Sequence, residues 1–285
     1  MKNMKSIVIL VFLISILAII ATSFGILTND ERGIDKITSV HGKVVELHGN
    51  GIYHNMSWDV AVQGIGQDYV TLFIGIPALL LGLFSTLKGS LKGKIFLSGV
   101  IFYLFINYLF YTIMAMYNEL FIVYFSLMGL TFFALATLLF SFDLKSLPRK
   151  FTHKVPNKLT GIFLIVNTIM IAMLWFQVII PPLVDGSIIP EQVQHYTTLI
   201  VQGMDLGLLL PLAFVSGIFF IQKKTLGFLL APIYVVFLSF QMTALLGKII
   251  AMSIVGVSAG PALIVIPTLL IVSITSSVLT LKSVK

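Results

Sequence analysis

The chain has 285 residues, of which 58% are apolar and 10% charged, with no cysteine and a formal charge of +7. Soluble domains carry about a quarter charged residues. No water-soluble fold of this length has an interior large enough for so much hydrocarbon, so composition excludes one and makes lipid the solvent. The missing cysteine excludes disulfides, thiol catalysis and cysteine-ligated metals.

A helix needs about 20 apolar residues to cross the hydrocarbon layer. Eight stretches qualify: 5–27, 67–87, 95–116, 119–141, 158–181, 196–222, 225–249 and 260–281. Lipid offers no partner for backbone N–H and C=O groups, so the expected fold is all-α, a polytopic transmembrane bundle forming a single membrane domain. The first stretch reads as a retained helix rather than a signal peptide, because its apolar run is longer than a usual signal core of about 7–15 residues.

With the N-terminus in the cytoplasm, fourteen of the eighteen Lys and Arg residues fall on the cytoplasmic side, and Asp143 is the only clear acid there. That asymmetry predicts a bacterial plasma-membrane protein with both termini inside. The positive charge is then a topology signal and a match to anionic lipid, with no nucleic-acid partner implied.

Residues 28–66 form the one sizeable outer loop. "KVVELHGNGIY" predicts strands Lys43–His48 and Ile52–Tyr53 around the tight-turn signal Gly49-Asn50-Gly51. "SWDVAVQGIG" then predicts a short interfacial helix, with Ser57 as N-cap and Trp58 at headgroup depth. His41, His48 and His54 in this loop lack ligand spacing and read as surface residues. The Asn55 sequon carries no weight in a chain of this composition.

The second helix begins "GQDYVTLFIGIPALLLGLF" and the sixth carries "GMDLGLLLPLAFVSGIFF". Each has Gly-x-Asp (Asp68; Asp205), a following Pro (Pro77; Pro211) and a terminal Lys (Lys88; Lys223). The next helix in each half then carries an amide, Asn107 or Gln241. These features suggest a 4+4 parallel repeat, residues 1–141 and 158–285, about an axis along the membrane normal.

At 1.5 Å per residue, Asp205 lies about 14 Å deep from outside and Asn107 about 18 Å up from the cytoplasm. Gln202 sits one turn from Asp205, and Lys248 follows Gln241 on about the same face. Tyr103, Tyr108 and Tyr111 line the outer part of the third helix. The polar groups thus gather in the outer half of the bundle, as a vestibule would require. A carboxylate at mid-bilayer costs about 3 kcal/mol on insertion scales and is kept for an ion, a proton or a partner charge. Three readings of Asp205 stand open: pairing with Lys248, protonation with a bond to Gln202 or Gln241, or binding of a cation, proton or substrate amine.

No metalloprotease, P-loop, hydrolase-elbow or dinucleotide motif occurs. His195 with Asp185 and Glu191 lacks diagnostic spacing. The expected function is a small-solute or ion transporter, using Asp68, Asp205, Asn107, Gln202, Gln241, Lys248 and Tyr111, with no cofactor specified. The alternative is an envelope sensor or scaffold that contacts an envelope protein through loop 28–66; a membrane-embedded enzyme ranks third.

"GQDYVTL" at 66–72 and "YNELFIVY" at 117–124 resemble segments of a bacterial multi-pass membrane family of about eight helices without an assigned activity, in which an outer hairpin precedes a Gly-x-Asp helix. Glu119 departs from the proline associated with that position. The resemblance implies fold but no functional residues.

Overall fold

The computed structural model of the chain describes residues 4–28, 35–49 and 51–285. Among the described residues, eight helices are long and apolar enough to cross a membrane. They are α1 Met4–Leu27, α2 Trp58–Leu87, α3 Leu91–Ile113, α4 Phe121–Phe140, α5 Asn157–Val184, α6 Ile200–Ile221, α7 Thr225–Ile254 and α8 Ala262–Lys282. The protein is an all-α, multi-pass membrane bundle with one two-stranded hairpin. Apolar side chains cover its outside, among them Phe133, Phe140, Leu81 and Ile264. In water such a surface would aggregate; in lipid it is solvated.

The innermost helices are α3 and α7, which pack on each other along their length. Around α3 stand α1, α2 and α4; around α7 stand α5, α6 and α8. In the first group α1 closes on α4, and in the second α5 touches α8. Helix α2 also packs closely on α7 at a glycine pair. A Cβ at Gly66 would meet the Gly247 carbonyl oxygen at 2.6 Å, and one at Gly247 would meet the Val70 side chain. Without a hydrophobic force between helices in lipid, such small-residue crossings allow the backbone contact that holds them. Helix α6 makes only slight contact with α3, and a gap remains between them.

Both α2 and α6 are broken by a single π-turn, Thr71–Gly75 and Asp205–Leu209. A proline follows each turn at once, Pro77 in one and Pro211 in the other. Proline removes one ladder hydrogen bond and clashes with the preceding turn, which explains the local widening. Side chains of the neighbours re-tie the second break: Tyr234 donates to the Leu209 carbonyl at 2.9 Å and Thr168 to the Leu210 carbonyl at 3.3 Å.

Helix bounds differ from the hydropathy windows where polar residues enter helices. Helix α3 starts at Leu91, four residues before the expected edge, because Ser90 accepts the Gly93 amide as a side-chain cap. The early turn buries Lys94, whose Nζ donates to the Ser141 carbonyl at 2.7 Å over the Phe142 ring. Helix α6 starts at Ile200 rather than 196, and α7 runs on to Ile254.

The outer loop departs from expectation in two ways. The hairpin exists, but its strands are β1 Lys36–Thr38 and β2 Val44–Glu46, antiparallel with Ile37 opposite Val45. The turn between them uses Gly42 at φ 72°. Among the described residues, Ile52 and Tyr53 are in no strand. Instead Leu47 bridges Ser57, and Gly51–Tyr53 is a 3-10 turn that drives Ile52 and Tyr53 into the bundle. Burying a large aromatic with a polar tip outweighs the local turn propensity. Asn50, Lys2 and Arg32, used in the sequence argument, lie outside the described residues. The second difference is that residues 58–66 are not an interfacial helix but the first turns of α2. Ser57 makes no side-chain cap; its N–H donates to the Tyr196 hydroxyl at 3.0 Å.

Candidate functional site: a polar cavity between the two helix groups

The gap between α3 and α6 is a cavity of about 410 Å³. Helices α2 and α3 wall one side, α5 and α6 the other, and α7 runs behind. Tyr53 and Met56 from the 3-10 turn region cover part of its hairpin end. Most of the lining is apolar, with a small set of polar groups among it, as small-molecule sites usually are.

Six of the seven site residues expected from sequence line this one cavity: Asn107 and Tyr111 of α3, Gln202 and Asp205 of α6, and Gln241 and Lys248 of α7. Asp68 does not. It is buried at 4% exposure behind two tyrosines. The Tyr53 hydroxyl donates to Asp68 Oδ2, and the Tyr111 hydroxyl lies 3.0 Å from Oδ1 and 2.9 Å from the Tyr53 hydroxyl. On its other side α1 passes so close that a Cβ at Gly25 would overlap the carboxyl. Asp68 therefore joins α1, α2, α3 and the outer loop, as a structural centre beside the cavity. Burial, and next the nearby Asp68, raise the Tyr53 hydroxyl well above its ordinary pKa, so it stays protonated and donates.

Asp205 forms neither of the two internal pairings expected of it. Its partner is Trp175 of α5, whose Nε1–H donates to Oδ2 at 2.8 Å. Among the described residues Lys248 has no carboxylate within 4.0 Å, and the ion pairs are Lys36–Glu46 and Lys43–Glu191, both in the outer loops. Gln202 and Gln241 share the cavity with Asp205 without bonding to it. One carboxylate and one ammonium thus face the same space unpaired with each other. A shared low-polarity cavity strengthens the field of both.

Amide side chains complete the lining. Gln67, Asn107 and Asn167 are 2%, 4% and 3% exposed. Each has a buried polar atom without a protein partner, respectively Oε1, Nδ2 and Oδ1, and Gln241 Oε1 is a fourth. Gln67 Nε2 is held by the Tyr103 hydroxyl at 2.8 Å, which also meets Thr71 Oγ1 at 3.0 Å. A buried polar atom left unpaired costs about 1–3 kcal/mol; these four atoms are themselves closed off from the cavity space, although their side chains line it. Sequence reasoning missed Trp175, Gln67, Asn167 and Tyr53. Trp175 and Asn167 were legible only as polar-capable residues eight apart on one helix, and nothing local pointed them at α6.

Among the described residues no group of three His, Asp or Glu side chains is placed to hold a metal ion. His195 Nε2 lies 2.9 Å from the Asn55 carbonyl and Tyr196 meets Ser57, so the second outer loop fastens the first. No protein-family model, curated protein or solved structure matches the chain, and the family resemblance carried by "GQDYVTL" therefore adds nothing to the geometry.

Proposed function

We propose that this protein is a permease for a small polar solute, with its binding site in the cavity between α3 and α6. The observation that carries the reading is the placement of Asp205 and Lys248 on one cavity without pairing to each other, among the amide side chains of Gln67, Asn107, Asn167 and Gln241. A structural ion pair would have closed on itself, and purely apolar packing would have excluded the amides. The π-turn and proline breaks in α2 and α6 supply places where helices flanking the cavity can bend. The basic loops support an orientation with both termini in the cytoplasm and the cavity's hairpin end outside.

A 4+4 parallel repeat belongs to this reading. Its register is 134 residues rather than the 137 obtained by aligning Asp68 with Asp205. At 134 the breaks Thr71–Gly75 and Asp205–Leu209 coincide, as do Pro77 and Pro211, the helix ends Leu87 and Ile221, the left-handed residues Gly89 and Lys223, and the amides Asn107 and Gln241. Asp205 then corresponds to Thr71. The glycine pair Gly66 and Gly247 corresponds to Ile200 and Ile113. Bulky residues replace the glycines at the second crossing, which accounts for a tight α2–α7 contact and an open α3–α6 gap.

The test uses the absence of native cysteine. Single cysteines at Ala115 and Val201 on the cavity wall are labelled with a membrane-impermeant maleimide in right-side-out vesicles. Labelling from the hairpin side, slowed by a transported solute and altered by Asp205→Asn, is the expected result. Cysteines that no reagent reaches, together with uptake indifferent to Asp205→Asn, would remove the proposal.

One observation favours the second reading, a sensor or scaffold working through the outer loop: Ile37, Val40 and Val44 on the hairpin are exposed. Deleting residues 40–60 would be a poor test, because Tyr53 is part of the Asp68 centre. Replacing the three exposed residues by serine leaves the bundle intact and should abolish partner capture if this reading holds.

A further inference from the structure

Resting on the permease reading, we infer that the solute is a small zwitterion with an apolar side chain, of the free α-amino acid type, its ammonium on Asp205 and its carboxylate on Lys248.

A lone cation entering the cavity meets Asp205 favourably but also meets Lys248, and a lone anion meets the reverse. A neutral solute leaves both ions desolvated without a counter-charge, which is the costly arrangement. Asp68, the acid that acts most strongly on Lys248, is held behind Tyr53 and Tyr111, so within the cavity only a solute carrying both signs gives Asp205 and Lys248 each a contact partner. The two residues sit on different helices, α6 and α7, and are not within 4.0 Å of each other, so a guest can lie between them.

Hydrogen bonding agrees. Trp175 occupies Oδ2 of Asp205 and fixes the carboxylate, and among the described residues no hydrogen bond is donated to Oδ1. A primary ammonium has three N–H donors, one of which Oδ1 can accept. A solute carboxylate accepts from Lys248 Nζ, the ammonium that lines the same cavity. Asp205 and Lys248 thus offer one zwitterion an acceptor and a donor.

Shape selects the remainder. The rest of the lining includes Phe110, Met114, Phe237, Leu238 and Leu245, which suit a hydrocarbon or aromatic side chain and offer little to a polar one. A cavity of about 410 Å³ lies at the small end of ligand sites and holds one such molecule.

The experiment measures binding to the full chain, purified in a non-ionic detergent, by ligand-induced thermal stabilisation and by calorimetry. The probes are L-leucine, 3-methylbutylamine and 4-methylpentanoate, which share a side chain but carry both charges, only the cation and only the anion. Leucine is expected to bind at least about tenfold tighter than either analogue, as loss of one buried charge contact requires. Lys248→Met should erase the preference for leucine over the amine, and Asp205→Asn the preference over the acid. Both variants must first show the wild-type elution profile and a cooperative melt; should either fail this, Lys248→Gln and Asp205→Ser replace them. Equal binding of all three probes overturns the inference. So does stabilisation by vesicles of phosphatidylethanolamine with none by free leucine, phenylalanine or methionine, since the zwitterion is then a lipid. Cavity cysteines protected by another solute but by no amino acid would sink the substrate class and leave the permease. Cysteines protected by nothing would sink both.

Discussion

The Trp175 indole donates to Asp205 Oδ2 at 2.8 Å and so ties the middle of α5 to the first residue of the π-turn in α6. The bond does two things at once. It satisfies half of a carboxylate that lies within a membrane-spanning helix, and it sets the direction of the other half. Trp175→Phe keeps the ring and removes the donor. We expect it to lower thermal stability by about 1–3 kcal/mol, the range for bonds to charged groups. In the Asp205→Asn background the same change should cost clearly less. A double-mutant cycle on melting in detergent measures that coupling, and a coupling of zero would mean that the bond carries no energy.

The Asp68 centre predicts a different phenotype. Tyr53→Phe removes the loop's bond to Asp68 while keeping its buried ring. The expected result is faster hydrogen exchange across residues 51–57 with unchanged exchange in α7. Tyr111→Phe should do less to the loop, since Tyr53 would still hold Asp68.

Gly25 offers a steric test. Any side chain there overlaps the Asp68 carboxyl, so Gly25→Ala should destabilise by about 1–3 kcal/mol as overpacking does. Shortening the obstacle with Asp68→Ala should recover part of that loss. If the double variant melts lower than the sum of the single losses, α1 does not sit against Asp68.

Lys223 occupies the left-handed region at φ 55°, as does Gly89 at φ 78° in the turn after α2. A non-glycine residue there costs roughly 1 kcal/mol. Lys223→Gly is expected to raise stability by an amount of about that size, less the loss of Lys223's charge at the loop. A lowered melting temperature would contradict the conformation.

Acid should loosen the join between the outer loops. Lys43 Nζ lies 2.7 Å from Glu191 and holds its carboxyl below the ordinary value, first through the hydrogen bond and then through charge. A carboxyl whose pKa is lowered by folding contributes fully above its unfolded value, near 4.3, and loses that contribution as pH falls through the lower, folded value. The pair is exposed, so the effect is small and weakens with salt. Proteolysis of the hairpin should quicken below about pH 4, and Glu191→Gln should remove that pH dependence.

Composition and helical length were enough to read eight spans in order, because the cost of exposing backbone or charge to lipid acts on each segment by itself. The polar residues that matter were also visible one at a time: Asp205 and Lys248 stand out in apolar runs whatever surrounds them. The partners of those residues were not visible. Trp175 meets Asp205 from thirty positions away, Tyr53 crosses from a loop to Asp68, and Ile52 and Tyr53, expected in a strand, are buried in the bundle from a 3-10 turn. Depth along a helix follows from counting residues, but rotation about its axis and the distance to a neighbour follow from crossings such as Gly66 on Gly247. Those crossings are settled only when all eight helices pack. That is why the sequence by itself marked the charges within apolar spans, and only the tertiary structure decided that Asp68 is enclosed by tyrosines while Asp205 and Lys248 share a cavity.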